Sequence, residues 1–121
     1  MIRRVLVPLD GSHFAEHALP FAIAIARRAG AVVELLSVAR PPFASSHVRG
    51  VRMYDDDALR QVAREHHRYL VDCIGRIREA CPTECEEIVL VGSTLERLVE
   101  HVAVSGADLV IMTTHGGGSP S

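Results

Sequence analysis

The chain has 121 residues, 48% of them hydrophobic and 23% charged, which predicts one folded domain with a single core. The formal net charge is -2, and no basic stripe extends beyond Arg3–Arg4 and Arg27–Arg28, so a nucleic-acid binder is not expected. All 13 basic residues are arginine, which excludes lysine Schiff-base chemistry and a phosphate-binding lysine.

The N-terminal segment predicts a strand followed by a helix. Residues 4–9 (RVLVPL) form an apolar run that ends at Asp10–Gly11, and Ser12 is a suitable N-cap. Pro20 predicts either a kink in the following helix or a displaced start, and Gly30 predicts its C-terminal end. Apolar side chains recur at helical spacing at Phe14, Ala15, Ala18, Leu19, Ala22, Ile23 and Ala26.

The second strand, residues 31–39, is followed by a long segment rich in Pro, Ser and Gly. Residues 40–54 are predicted to be irregular and to form a mobile flap over the base of a bound ligand. Asp55–Asp57 predict the start of a second helix, because acidic groups favour a helix N-terminus, and Pro82 marks its end. Its predicted apolar face consists of Leu59, Val62, Ala63, His66, Tyr69, Leu70, Cys73, Ile74 and Ile77.

The C-terminal part repeats the alternation. Residues 86–91 predict a third strand and residues 108–113 a fourth. Between them, Ser93 and Glu96 have the spacing of a capping box, and Gly106 predicts the end of a third helix. The helix is expected to turn Leu95, Leu98, Val99 and Val102 towards the core.

The resulting order βαβαβαβ, with nearly continuous apolar strands, predicts an α/β fold with a doubly wound parallel sheet. In such sheets a ligand binds beyond the carboxyl ends of the strands, where the strand order reverses. The turn at residues 8–12 places an acid there, and the glycine-rich turn at residues 113–119 follows the fourth strand. A carboxylate can accept from a ribose hydroxyl, and glycine N–H groups can approach phosphate closely. A simple turn with a helix cap is the alternative interpretation of Asp10–Gly11–Ser12.

Other chemistry is not predicted. No Walker-type or G-x-G-x-x-G fingerprint follows the first strand. His66 and Cys73 share a helix face, but a structural zinc site needs four converging ligands, so no metal site is predicted. No nucleophile with an oriented base is recognisable, so we assign no catalytic residue and expect at most slow turnover. The three cysteines and the lack of an apolar run of about 18 residues predict a cytoplasmic protein without a membrane span.

Four stretches of the sequence resemble the universal stress protein family. They are V-L-V-P-L-D-G-S from residue 5, A-E-H-A-L from residue 15, R-A-G-A-V-V-E-L-L-S-V from residue 28 and A-D-L-V-I-M-T-T-H-G-G-G from residue 107. The resemblance spans residues 1–121 as a single domain. It implies a fold like that of the adenine nucleotide alpha hydrolases with strand order 3-2-1-4, a homodimer, and ATP or AMP as ligand, with Mg²⁺ as an accompanying ion.

The resemblance also implies a set of binding residues. Asp10 corresponds to the acid that contacts ribose, and Val38 to the residue whose main chain meets adenine. Residues 112–119 correspond to the phosphate loop, in which His115 either contacts phosphate or only shapes the turn. The complete set is Pro8, Leu9, Asp10, Val38, Met112, Thr113, Thr114, His115, Gly116, Gly117, Gly118 and Ser119.

The sequence departs from the family pattern in two places. Thr113 replaces the first glycine of the motif G-x-x-G-x(9)-G-[ST], of which Gly116 is the second. The motif's last Gly-Ser, the fifth strand and the last helix have no counterpart in these 121 residues. From these departures we expect residues 109–113 to form an exposed strand edge, self-association of the chain, and weak binding of ATP.

Two functions are therefore left open by the sequence. The first is a stress-response protein that binds an adenine nucleotide, favoured by Asp10, Val38 and Gly116. The second is a dimer or interaction scaffold of the same fold that binds no nucleotide, favoured by Thr113.

Overall fold

A computed structural model describes residues 1–41, 46–48, 51–53 and 56–114. The strands are β1 (Arg4–Pro8), β2 (Val32–Ala39), β3 (Ser46–Val48), β4 (Val51–Met53), β5 (Cys85–Val91) and β6 (Leu109–Val110). The helices are α1 (His13–Glu16), α2 (Leu19–Ala29), α3 (Asp56–Ala80) and α4 (Thr94–Ser105). None of the helices in these ranges is long and apolar enough to cross a membrane.

The main sheet confirms the predicted topology. Its order is β5-β2-β1-β6, and each neighbouring pair is parallel. These are the third, second, first and fourth strands that the sequence predicts, so the order is 3-2-1-4. Strand order reverses beside β1, which places a crevice at the carboxyl ends of β1 and β6.

Alternation along the strands divides the core between the two faces of the sheet. Side chains of odd-numbered residues such as Val5 and Leu35 pack with α2 and α3, whereas Leu6 and Leu36 face α4. The α2–α3 face is the larger and includes Ala22, Ala26, Leu70, Cys73, Ile74 and Ile77. On the opposite face Leu98 is the one buried residue of α4 among the described helix residues.

The break near Pro20 is a displaced helix start. Helix α1 ends at Glu16, and α2 begins at Leu19 with Pro20 in its first turn, where a missing N–H costs no hydrogen bond. Gly30 ends α2 with a left-handed φ of 69°, as predicted.

Two expectations for α4 are wrong. Ser93 takes the N-cap position, but its hydroxyl makes no capping hydrogen bond, so the capping box does not form. Leu95 and Val99 are 70% and 60% exposed, not buried. Leu98 and Val102 face the sheet, and Leu95 and Val99 lie on a neighbouring stripe against which no described element packs.

The segment predicted to be irregular contains two short strands. β3 and β4 pair antiparallel as a separate two-stranded sheet, with Ser46 opposite Met53. This pairing of strands differs from the irregular structure that the sequence predicts for residues 40–54. Residues 42–45, 49–50 and 54 of the proposed flap lie outside the described residues.

The fourth predicted strand is shorter than expected. Its ladder covers Leu109 and Val110, and the Ile111 N–H adds one bond to the Leu6 carbonyl at 3.0 Å. β6 pairs with β1 alone among the described strands, so nothing extends the pairing from its other side. Asp108 fixes its start by accepting from the Arg3 and Arg4 N–H groups at 2.7 and 3.1 Å, which lowers the pKa of Asp108.

Candidate functional site

The turn after β1 presents a carboxylate at the crevice. The Leu9 N–H donates to the Leu36 carbonyl at 2.8 Å, and the chain then leaves the sheet. Asp10 is exposed, and its Oδ1 accepts from the Ser12 N–H at 2.9 Å and the Ser12 hydroxyl at 2.6 Å. The Ser12 hydroxyl in turn accepts from the Ala15 N–H at 3.1 Å. The predicted helix cap and the predicted ligand-facing acid are therefore the same structural unit.

The position of Val38 follows from alternation along β2. The Val32 N–H and the Leu36 carbonyl both point to β1, whereas the Ala39 carbonyl accepts from Gly92 beside β5. By the same alternation the N–H and C=O of Val38 point to the β1 side, beyond the residue where β1 ends. This main-chain edge lies where the sequence places an adenine contact.

The end of the fourth strand is tied to α1. The Thr113 hydroxyl donates to the Phe14 carbonyl at 3.0 Å. A glycine, which the family pattern has at this position, has no side chain to make this bond. Met112 is 47% exposed and borders the same crevice.

A cavity of about 130 Å³ brings together six of the seven predicted site residues that the structure describes. Six predicted residues line it: Pro8, Leu9, Asp10, Val38, Met112 and Thr113. Four lining residues were not predicted, namely Ala15, Leu36, Thr94 and Leu98. Thr114 is described but does not line this cavity, and His115 to Ser119 lie outside the described residues.

The sequence could have predicted Leu36, because strand alternation places it on the same face as Val38. Thr94 and Leu98 could not be predicted, since their position at the cavity depends on how α4 crosses the sheet.

A second cavity of about 240 Å³ lies on the α3 side of Asp10. It is lined by Asp10, Gly11, Glu65, His66 and Tyr69, of which the sequence predicted only Asp10 as a site residue. His66 is half-buried, and its Nδ1 lies 2.6 Å from the hydroxyl of Ser37, which is 1% exposed. The predicted core histidine is therefore hydrogen-bonded to the strand and also lines a cavity.

Tyr69 is held by its own partner. Its hydroxyl donates to Glu16 Oε2 at 2.6 Å. Burial, reinforced by this bond to a carboxylate, raises the pKa of Tyr69, so the phenol stays neutral. Because the Tyr69 proton is already directed at Glu16, the ring contributes an apolar wall to the cavity.

The described residues offer binding chemistry and no clear catalytic group. They contain no cluster of three or more His, Cys, Asp or Glu side chains able to hold a metal ion. Ser37 beside His66 is too deeply buried to act as a nucleophile. Burial raises the pKa of the Cys73 and Cys85 thiols, which keeps them protonated and unreactive. What remains is an apolar cavity with a carboxylate and a main-chain edge at its rim.

Similar proteins share this fold. A protein of the universal stress protein family from Burkholderia pseudomallei is 28% identical, with a TM-score of 0.72 over 94% of this chain and 83% of that one. The universal stress protein UspA from Lactobacillus plantarum is 19% identical, with a TM-score of 0.68 over 98% and 81%. A universal stress protein in complex with cAMP is 23% identical, with a TM-score of 0.63 over 90% and 70%. A comparison with curated proteins found no match.

The family itself is settled by sequence. The profile of the universal stress protein family matches residues 1–121. This match agrees with the observed strand order and with the fold of the similar structures. The chain belongs to the universal stress protein family.

Proposed function

We propose that this protein binds an adenine nucleotide, ATP or AMP, at the carboxyl ends of β1 and β6. One observation carries the proposal: a carboxylate and a main-chain edge border the same apolar cavity at the point where strand order reverses. The apolar lining suits a flat base, and the two polar groups suit its edge and its sugar.

The base would lie against Leu36, Val38 and Leu98. The N–H and C=O of Val38 offer one donor and one acceptor side by side. The edge of adenine carries an acceptor ring nitrogen next to an amino donor, which matches that pair. A guanine edge carries a carbonyl and an N–H in the reversed order, so the same main chain would discriminate against it.

The ribose would lie at Asp10, whose carboxylate already accepts two bonds at Oδ1 from Ser12. These bonds fix the direction of the carboxylate before any ligand arrives. The phosphates would extend past Met112 and Thr113, with Mg²⁺ as an accompanying ion. Because Thr113 stands in place of a glycine, we expect the phosphates to add little affinity, and AMP and ATP to bind similarly.

The size of the cavity is consistent with a site in which the base, the ribose and the phosphates lie against different parts of the protein. A volume of about 130 Å³ is smaller than the roughly 300–1,000 Å³ of typical ligand pockets, so it would hold only part of a nucleotide. The structure described as a complex with cAMP supports a nucleotide ligand in a protein of the same fold.

Native mass spectrometry tests the proposal without choosing a ligand in advance. The purified protein is sprayed directly, and again after addition of ATP, AMP or GTP. We expect mass additions corresponding to ATP and AMP and none with GTP. Equal addition of GTP, or no addition of any nucleotide, would contradict the proposed function.

A second candidate is an interaction scaffold that binds no nucleotide. It is favoured by the exposed apolar side chains of α4, Leu95, Val99 and Val104, which are 70%, 60% and 81% exposed. A homodimer formed through this surface or the β6 edge would be its simplest form. The two candidates are separated by the mass experiment, because only the first predicts a nucleotide adduct.

A further inference from the structure

The cavity on the α3 side of Asp10 extends the candidate site into a second compartment. The two cavities share Asp10 as a lining residue. Neither alone reaches the roughly 300 Å³ at which typical ligand pockets begin, whereas the two combined do. A ligand that contacts Asp10 therefore has room on both sides of the carboxylate.

His66 is oriented in this compartment by a buried hydroxyl. The Ser37 hydroxyl has one hydrogen-bond partner among the described residues, His66 Nδ1 at 2.6 Å. A buried hydroxyl needs an acceptor for its proton, and Nδ1 is the acceptor within reach. When Ser37 donates to Nδ1, the neutral imidazole carries its own proton on Nε2. His66 then acts as a hydrogen-bond donor.

The polar groups of this compartment are complementary to a vicinal diol. Asp10 offers an acceptor and His66, with its proton on Nε2, offers a donor, while the Tyr69 hydroxyl is already bound to Glu16. A ribose can donate one hydroxyl to Asp10 and accept at the other from His66. A phosphate would be repelled here, because Asp10 and Glu65 both carry negative charge.

We propose that His66 is a specificity-determining residue that, with Asp10, recognises the ribose diol of the bound nucleotide. This inference rests on the proposed nucleotide site. It implies that the protein discriminates against deoxyribonucleotides, and that Ser37 is a positioning residue that fixes the tautomer of His66.

The test measures the affinity of the full chain for AMP, 2′-deoxy-AMP and 3′-deoxy-AMP by calorimetry. We expect the wild-type protein to bind the analogue that lacks the hydroxyl facing His66 about 3- to 10-fold more weakly than AMP, the cost of one neutral hydrogen bond. The analogue that lacks the hydroxyl facing Asp10 should bind about 5- to 150-fold more weakly, because that bond is charge-assisted. His66→Leu should abolish the loss of affinity for the analogue that lacks the hydroxyl facing His66 and leave the loss for the other analogue unchanged. His66→Gln retains a donor and should restore part of the lost penalty.

The controls separate recognition from folding. His67→Leu changes the neighbouring exposed histidine, whose Nε2 lies 3.3 Å from Glu87, and should leave both penalties unchanged. Ser37→Ala keeps the imidazole but frees its tautomer, and should reduce the same penalty that His66→Leu abolishes. Since each readout is a ratio of affinities within one protein, a general loss of stability does not imitate it.

The outcomes distinguish the two proposals. If wild-type protein binds AMP but binds both analogues as tightly as AMP, the inference about His66 is wrong and the nucleotide site stands. The inference about His66 is also wrong if His66→Leu and His67→Leu have equal effects on the two penalties. If AMP does not bind at all, the proposed function fails, and this inference fails with it.

Discussion

The Glu16 carboxylate connects α1 to α3. It accepts from the Tyr69 hydroxyl at 2.6 Å and from Arg76 at 3.3 Å, and its side chain is 13% exposed. The Tyr69 hydrogen bond, aided by the positive charge of Arg76, lowers the pKa of Glu16. Folding therefore favours the ionised form. Its contribution to stability is fully present above the unfolded pKa of about 4.3 and is lost as pH falls through the lower folded pKa.

Glu16→Gln should accordingly destabilise the protein more at neutral pH than in acid. We expect a loss of about 1–2 kcal/mol in the free energy of unfolding at pH 7, because hydrogen bonds to a charged group are replaced by weaker ones. The difference from wild type should shrink by about pH 3. Urea titrations at both pH values measure it, and a difference that is constant or larger in acid would contradict the assignment.

Single residues show where sequence patterns are sufficient and where they are not. Ser12 and Ser93 both precede helices, and both were predicted as caps. Ser12 forms its bond to Ala15, and Ser93 forms none. The Ser12 hydroxyl is also held by Asp10, two residues earlier in the same turn, whereas Ser93 is exposed. The role of Ser37 could not be predicted from a local pattern, since its partner His66 is 29 residues away.

At the scale of elements, two glycines provide a matched pair. Gly30 ends α2 with a φ of +69°, whereas Gly75 lies within α3, and a Cβ at either position would meet no atom within 4 Å. Gly30→Ala should destabilise the protein by about 1–2 kcal/mol, because a side chain is strained in the left-handed region. Gly75→Ala should stabilise it by about 0.5–1 kcal/mol through helix propensity. Thermal unfolding of both variants checks the opposite signs, and equal signs would refute the argument.

Most elements were predictable because their apolar patterns are long. The 25 residues of α3 repeat an apolar stripe, and its buried positions Leu70, Cys73, Ile74 and Ile77 were all predicted. The shorter α4 was predicted as a helix, but two of its four core positions, Leu95 and Val99, were wrong. A stripe of apolar residues shows that a face is apolar, whereas burial depends on a neighbouring element that the pattern does not contain.

At the scale of the whole molecule, apolar surface predicts self-association. Leu95 and Val99 are exposed on α4, and β6 pairs on one side only among the described strands. We expect the protein to form dimers or larger species in sedimentation velocity experiments. Replacing Leu95 and Val99 together by Glu should weaken association by at least about tenfold, because burying each side chain is worth roughly 1.5–3 kcal/mol.

Phe21→Glu is the control for this surface. Phe21 is an equally exposed apolar residue, at 68%, but it lies on α2 on the other face of the sheet. If association persists in the double variant and weakens in Phe21→Glu, the contact is on the α2 face and its assignment to α4 is wrong. A protein that sediments as a monomer at all concentrations would contradict the prediction altogether.

Whether Asp10 belongs to an adenine nucleotide site is decided by calorimetric titration of AMP and ATP into wild-type protein and Asp10→Ala. We expect Asp10→Ala to weaken binding by about 1–3 kcal/mol, the value of a charge-assisted hydrogen bond. Asp10→Asn keeps an oxygen for Ser12, so its nucleotide affinity should lie between those of the wild-type protein and Asp10→Ala. Asp72→Ala removes an exposed acid on α3 and should bind nucleotide as tightly as the wild-type protein does. Unchanged nucleotide affinity in Asp10→Ala would contradict the proposed site.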